Sequence, residues 1–122
     1  METLPTWLTE NERLVLQAFV TALYERYGEK ILSVQLFGSK ARGDFDADSD
    51  LDVLVLTTHD DWRFQQAISF LAAGISLVYN LILAPKVINL VRWEFLNREE
   101  FAIARNVQQE GIVLGSVQSV TS

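Results

Sequence analysis

Cysteine is absent from this chain of 122 residues, and histidine occurs only once, at His59. Without cysteine there is no disulfide framework, no thiolate metal site and no cysteine nucleophile. A single histidine also rules out a metal centre built from several imidazoles. These absences exclude three common kinds of functional site.

Basic residues are also few, with 10 Lys and Arg against 16 Asp and Glu, for a formal net charge of −6. Proteins that hold DNA or RNA by the phosphate backbone depend on clustered Lys and Arg, and the basic residues here are scattered. We therefore expect a small phosphorylated ligand or a protein partner rather than a nucleic acid. One local Lys–Arg pair can still serve a single nucleotide.

Long apolar runs are lacking as well, since none reaches the ~18 residues that a membrane span needs. The first residues, Met1 to Pro5, lack the basic start and apolar core of a secretory signal. We expect a cytoplasmic protein with no membrane segment. The length and an apolar content of 49% fit one domain over residues 1–122, with 115–122 as a frayed tail.

The first half of the chain has the pattern of one helix and two strands. Thr9 and Glu12 have the spacing of a capping box, so a helix should begin at about Glu10. Its apolar stripe ends at Tyr27, and Gly28 is a natural left-handed stop. Two apolar, β-branched runs then predict strands, the second covered on both faces. These strands are Ile31–Phe37 and Leu51–Leu56.

A second helix is predicted from Asp60 or Asp61 to about Tyr79. Its apolar residues recur at three- and four-residue spacing and should face the core, and this stripe ends at Val78. Gly74 lies in the middle of the segment, where glycine costs about 1 kcal/mol relative to alanine. The helical pattern is weakest there.

The remaining residues predict an edge strand and a helical tail. The third strand candidate is 81–84, and Pro85 fits only a sheet edge or a strand end. Residues 86–89 could continue the strand beyond a bulge. Residues 92–109 predict one or two helices, ended by Gly111 and followed by a short extended segment. This order of elements predicts a compact α/β (α+β) fold with a small mixed sheet packed by helices.

Two carboxylates, Asp50 and Asp52, open the second strand. Side chains two apart in an extended segment project from the same face, with Cα atoms about 6.5 to 7 Å apart. Such a pair can converge on one Mg²⁺ or flank two ions about 3.5 to 4 Å apart. Because Mg²⁺ takes only one or two carboxylates and completes its shell with water and substrate phosphates, the pair is suited to a metal-bound nucleoside triphosphate.

The first strand ends at Gly38 and Ser39. Glycine lets the backbone come close to a ligand, and the Ser39 hydroxyl and amide can meet phosphate oxygens. Arg42, and less directly Lys40, could offset the charge of a triphosphate. A Gly-Ser turn alone is usually only a turn, and an isolated Asp-x-Asp is usually a solvated face. Together, each at the appropriate end of its strand, they are much more specific.

The run Gly38-Ser39-Lys40-Ala41-Arg42-Gly43, followed by Asp50-Leu51-Asp52, resembles the nucleotidyltransferase superfamily that includes DNA polymerase β, and above all its minimal nucleotidyltransferase branch. The resemblance covers residues 31–56 and extends more weakly over 106–114. It implies a polymerase β-like fold in which Gly38 and Ser39 contact the β- and γ-phosphates of ATP. It also implies that Asp50 and Asp52 hold two Mg²⁺ ions while a hydroxyl attacks the α-phosphorus and pyrophosphate leaves.

Minimal members of this family are often antitoxins paired with small helical HEPN-type proteins, some of which they modify with AMP. The resemblance therefore implies an antitoxin enzyme that transfers AMP to a hydroxyl of a HEPN-type toxin. The alternative is a binding module of weak or no catalytic activity that neutralises its partner by complex formation. A second copy of the chain is the other candidate partner.

The chain departs from the family pattern in one respect. Many members carry a third carboxylate on the strand after the second helix, and the corresponding segment here, Tyr79 to Asn89, contains no acid. Loss of a general base can lower a rate by about 10²- to 10⁴-fold. The two functional alternatives therefore both stay open.

Three further aspartates alternate ahead of the pair, at Asp44, Asp46 and Asp48. In the register of a calcium-binding loop, Ser49 stands where glycine is needed and Val55 where glutamate is needed. We expect a solvated loop instead. His59 follows the second strand, and we expect it to have a surface or capping role.

Overall fold

The computed structural model describes residues 4–46, 49–58 and 61–116. His59 and Asp48 lie outside these ranges. The described residues form, in chain order, α1 (Glu10–Tyr27), a 3-10 turn (Gly28–Lys30), β1 (Ile31–Phe37), α2 (Ser39–Arg42), β2 (Leu51–Thr57), α3 (Trp62–Tyr79), β3 (Leu83–Asn89), α4 (Leu90–Arg98), α5 (Ala102–Glu110) and β4 (Ile112–Ser116).

The four strands form one mixed sheet in the order β3-β2-β1-β4. β1 is antiparallel to both β2 and β4, whereas β2 and β3 are parallel. β3 lies at the edge, as the position of Pro85 requires. The register between β2 and β3 is continuous from Leu83 to Asn89, so the bulge predicted after Pro85 is absent from this pairing.

The capping box predicted at the start of α1 is confirmed. The Glu12 N–H donates to the Thr9 hydroxyl at 3.0 Å, and the Thr9 N–H donates to the Glu12 carboxylate at 2.8 Å. These bonds satisfy two of the N–H groups that a helix start leaves without intrahelical partners. They fix the entry of the chain into the helix that packs on the sheet.

Side chains of β2 alternate between two apolar clusters. Val53 and Val55 join a cluster with buried residues of α1 and α3, while Leu54 joins a second cluster with residues of α4 and α5. Both faces of β2 are therefore covered by helices, which explains why the strand is apolar at nearly every position.

The predicted helix α3 is confirmed, but the prediction that Val78 belongs to its buried apolar face is wrong. Ile68 and Ala72 are buried, whereas Val78 is 78% exposed. Each helical residue turns by about 100°, so Tyr79 rather than Val78 continues the face that carries Ile68 and Ala72. Val78 lies on the outer surface.

The tail contains two helices and a strand that is longer than predicted. β4 runs on to Ser116, where Gly115 and Ser116 pair with Val34 and Ser33 of β1. The first two residues of the predicted frayed tail thus belong to the sheet, and 117–122 lie outside the described residues. None of the helices in the described ranges has the length and apolar character that a bilayer crossing demands.

Candidate functional site

The Gly-Ser turn lies directly against the carboxylate of Asp52. In the antiparallel ladder Phe37 pairs with Asp52, so the residue after Phe37 meets the start of β2. Gly38 has φ of 79°, a region that favours glycine. A Cβ atom at Gly38 would collide with the Asp52 carboxylate. The sequence predicts that the backbone at Gly38 approaches a ligand; within the chain, the group that lies against Gly38 is the Asp52 carboxylate.

Residues 39–42 form one helical turn. The N–H groups of Ala41 and Arg42 both donate to the Gly38 carbonyl at 3.1 Å, and the Gly43 N–H donates to the Ser39 carbonyl at 2.8 Å. Gly43 then ends the turn in the left-handed conformation, with φ of 90°. Ser39 is thereby the first residue of a helical turn, where N–H groups have no intrahelical acceptor.

Trp7 packs behind this turn. Its indole N–H donates to the Lys40 carbonyl at 2.7 Å. A Cβ atom at Gly43 would lie 3.2 Å from the indole ring, so the glycine allows the ring to close against the backbone. This contact ties the turn to the N-terminal segment.

Lys40 does not face the site, which corrects the sequence-based suggestion that it offsets triphosphate charge. Its ammonium nitrogen lies 2.6 Å from a carboxylate oxygen of Glu12 in α1, and both side chains are buried. It also lies 4.0 Å from the centre of the Phe45 ring. Burial acts to raise the pKa of Glu12, but the hydrogen bonds and charge supplied by Lys40 and the bonds from Thr9 hold that pKa below its usual value. The pair is a structural link between α1 and α2.

Arg42 is held between two carboxylates at the mouth of the site. Its Nε donates to the two oxygens of Asp44 at 3.1 and 3.0 Å. Its Nη1 donates to the two oxygens of Glu110 at 3.0 and 3.2 Å. Hydrogen bonds to Asp44 and Glu110 raise the pKa of Arg42, so the guanidinium stays charged. Arg42 thus lies at the end of the turn, and Asp44 and Glu110 set its orientation.

Glu110 is the residue of the site that sequence reasoning missed. It is the last residue of α5, and its Oε1 accepts the N–H of Gly38 at 3.0 Å, across 72 positions of the chain. The available signal was its place inside the weakly resembling segment 106–114, immediately before the helix stop Gly111. A Cβ atom at Gly111 would lie 2.8 Å from the Gln35 side chain, so glycine lets the chain turn back close to β1.

Asp52 is the second residue of β2, and Asp50 immediately precedes the strand. Burial raises the pKa of Asp52, and the neighbouring charge of Asp50 raises it further. Lys86 and Arg42 act in the opposite direction, while Glu110 adds to the rise. The charges of Asp50 and Asp52 repel each other, and Asp52 is partly removed from water. A bound cation would reduce this repulsion.

β3 carries no acidic residue where it pairs with β2. Asp52 pairs with Ala84, and the charged residue two positions further along β3 is Lys86. Within the described ranges, no group of three or more His, Cys, Asp or Glu side chains could hold a metal ion. The predicted donor set of Asp50 and Asp52 thus contains two carboxylates. This set fits Mg²⁺, which needs only one or two carboxylates when water and phosphate oxygens complete its octahedron.

A pocket of about 440 Å³ opens beside Asp50. It lies between the start of β2 and the C-terminal end of α3, and its lining combines polar and apolar side chains. The lining residues are Ser49, Asp50, Ser76, Leu77, Asn80, Leu81 and Ile82. Of the predicted site residues, Asp50 lines this pocket, which has room for a substrate group.

Residues 16–114 match the model of the Nucleotidyltransferase domain family. Because this match covers most of the chain, the chain belongs to the nucleotidyltransferase domain family, and the resemblance seen in the sequence is confirmed. A Methanocaldococcus jannaschii protein named, provisionally, as a protein adenylyltransferase is 34% identical over 105 residues, which span 85% of this chain and 98% of that protein. The inference that the chain is a nucleotidyltransferase is thereby supported at the level of the family.

Solved structures agree on the fold. A chain of a toxin–antitoxin complex with AMP-PNP gives a TM-score of 0.53 at 20% identity, covering 84% of this chain and 74% of that chain. A chain in the structure of tri-AMPylated Shewanella oneidensis HEPN toxin with MNT antitoxin gives a TM-score of 0.51 at 18% identity, covering 89% and 76%. At these identities the likeness concerns the fold, which is that of minimal nucleotidyltransferases.

Proposed function

We propose that this protein binds Mg-ATP and transfers AMP to a hydroxyl group of a HEPN-type partner protein, acting as an antitoxin. The observation that carries the proposal is the β1–β2 register, which sets the Gly-Ser turn against Asp52. A turn able to bind phosphates, at the end of β1, then lies beside a carboxylate pair able to bind Mg²⁺, at the start of β2. Both are needed to hold a metal triphosphate.

The residues divide the work as follows. Ser39 provides a hydroxyl and a helix-start N–H to the β- and γ-phosphates, and Arg42 adds a positive charge. The N–H of Gly38 is already bound to Glu110. Gly38 therefore contributes a close approach of its backbone to the phosphates rather than an N–H donor. Asp50 and Asp52 would hold the Mg²⁺, as one or two ions. The metal, when bound, would offset the charge of the triphosphate and of the departing pyrophosphate.

In the transfer itself, the acceptor oxygen forms a bond to the α-phosphorus and the bond to the β-phosphate oxygen breaks. Pyrophosphate leaves with the electron pair of that bond. The acceptor hydroxyl loses its proton, and β3 offers no carboxylate that could accept this proton as a base. We assign the role of base to a group of the partner or to solvent.

Two features favour a protein as the acceptor. α3 carries no charged residue from Phe64 to Tyr79, and its outer face exposes Phe70 by 69%, Leu77 by 84% and Val78 by 78%. Leu77 also lines the pocket beside Asp50, so this apolar face reaches the site. Exposed apolar patches of this kind are typical of protein interfaces. The names of the M. jannaschii relative and of the S. oneidensis complex point to the same class of acceptor.

The proposal is tested by incubating the protein with Mg²⁺, labelled ATP and the product of the neighbouring gene as the candidate HEPN-type partner. Intact mass spectrometry should show the partner heavier by one or more AMP groups, with pyrophosphate released. The Asp50→Asn, Asp52→Asn double variant should give no modification. If the protein is folded and binds ATP but the partner stays unmodified, the proposed transfer is contradicted.

The second candidate is a binding module that neutralises its partner by complex formation alone. The replacement of an acidic β3 by a segment whose charged residue is Lys86 favours it. Under this alternative ATP binds without turnover, and the double variant neutralises the partner as well as the wild type does. Intact mass spectrometry of the partner, together with an assay of growth inhibition by the partner in the presence of each variant, separates the two.

A further inference from the structure

Glu110 connects the two ends of the short segment on which phosphate binding depends. One of its oxygens, Oε1, accepts both the Gly38 N–H and the Arg42 Nη1–H at 3.0 Å. Gly38 precedes α2 and Arg42 is its last residue. A single carboxylate at the end of α5 therefore holds both ends of this turn.

Arg42 is oriented by this contact in a specific way. Within the described residues its hydrogen bonds use Nε, toward Asp44, and Nη1, toward Glu110. The guanidinium plane is fixed by bonds on two of its three nitrogens, and the two donors of Nη2 are left for a ligand. An arginine that is already ordered loses less rotamer freedom when it binds an anion.

Gly38 is fixed by the same residue. Its N–H is bound to Glu110, and its φ of 79° and ψ of −161° set the orientation of the peptide that follows it. That peptide carries the N–H of Ser39. The Glu110 side chain is only 13% exposed, which keeps water from competing strongly for these hydrogen bonds.

We propose that Glu110 is a positioning residue for the triphosphate, acting through Gly38 and Arg42 to preset the groups that meet the β- and γ-phosphates. The inference rests on the proposed function, since it assumes that Mg-ATP is the ligand. The opposite role is a competing anion that occupies the phosphate donors until ATP displaces it. The two roles predict opposite changes when the carboxylate is removed.

The test is isothermal titration with Mg-ATP of the wild type, Glu110→Ala, Glu110→Gln, Arg42→Ala and the Glu110→Ala, Arg42→Ala double variant. Glu25→Ala is the control, because Glu25 is an exposed glutamate of α1 and its loss changes the net charge equally. Thermal unfolding of every variant verifies that the titrated protein is folded.

A positioning role predicts that Glu110→Ala weakens Mg-ATP binding by about tenfold, the scale of one charge-assisted hydrogen bond. Glu110→Gln should recover part of this loss, because its amide oxygen still accepts the Gly38 N–H. In the Arg42→Ala background, Glu110→Ala should cost a smaller factor than in the wild type, since part of its action passes through Arg42. Glu25→Ala should bind as the wild type does.

Unchanged or tighter binding in folded Glu110→Ala would overturn the inference and leave the proposed function standing. Full additivity of the two alanine substitutions would overturn it as well, because a general structural effect does not depend on Arg42. If the folded wild type fails to bind Mg-ATP, the proposed function falls and the inference falls with it.

Discussion

Gly38 and Asp52 are in such close contact that no side chain fits between them. The positive φ of Gly38 and the collision of an added Cβ with the Asp52 carboxylate are two separate reasons for glycine at this position. The contact follows from the pairing of Phe37 with Asp52, which brings the end of β1 to the start of β2. The turn and the carboxylate pair therefore depend on each other's geometry.

Gly38→Ala should consequently lower both stability and ATP binding. We expect a loss of about 1 to 3 kcal/mol in the free energy of unfolding from the strained backbone and the displaced carboxylate. Urea unfolding and titration with Mg-ATP measure the two effects. Gly74→Ala is the matched control, because a Cβ there meets nothing within 4 Å. It should stabilise α3 by about 0.5 to 1 kcal/mol. Wild-type ATP affinity in Gly38→Ala would contradict the description of the turn.

Removing Lys40 should destabilise the fold, because it leaves Glu12 as a buried charge without its partner. Losses of about 3 to 5 kcal/mol are typical when one member of a buried pair is removed. Urea unfolding of Lys40→Met measures the loss, and the Glu12→Met, Lys40→Met double variant should regain most of it. The folded double variant should bind Mg-ATP as the wild type does. Weaker Mg-ATP binding by that double variant would contradict the assignment of Lys40 to a structural role outside the site.

Stability at different pH values should report the raised pKa of Asp52. Burial and the charge of Asp50 raise this pKa, so the folded protein holds the proton more tightly than the unfolded chain does. The ionised carboxylate therefore costs stability above its folded-state pKa, and this cost fades as the pH falls toward the unfolded value of about 3.9.

Asp52→Asn should unfold at a higher temperature than the wild type at neutral pH, and the difference should shrink in acid. Thermal unfolding of both proteins across this pH range measures it. A variant that is less stable than the wild type at neutral pH would show that the carboxylate is stabilised in the fold, contrary to this account.

The apolar face of α3 should be needed for partner binding and not for nucleotide binding. Val78→Asp adds a charge to a side chain that is 78% exposed, so the folded chain can accept it. We expect at least a tenfold loss of affinity for the HEPN-type partner, measured by surface plasmon resonance, with unchanged Mg-ATP affinity. Glu29→Lys, at an exposed residue outside α3, is the control. Undiminished partner binding by Val78→Asp would place the interface elsewhere.

Much of the fold could be predicted because it is encoded locally. The Thr9 and Glu12 capping box sets the start of α1, and the apolar runs set β1 and β2. The pairing of the Gly-Ser turn with the carboxylates was also accessible, since both lie within a short stretch around one strand pair.

The remaining features depend on contacts between distant parts of the chain. The bond from Gly38 to Glu110 spans 72 positions, and no local pattern marks it. The burial of Lys40 depends on Glu12, which lies on a different helix. The helical turn of α2 is not predictable from the sequence, because four residues are too few to show a period.

The central claim is that Asp50 and Asp52 hold the metal of a bound triphosphate beside the Gly-Ser turn. Its most direct test is titration of ATP, with Mg²⁺ and with the metal chelated, into the wild type and the folded Asp50→Asn, Asp52→Asn variant. The account predicts that the wild type binds ATP in a Mg²⁺-dependent manner and that the variant loses this dependence. Equal ATP affinity of the two proteins in Mg²⁺ would contradict it.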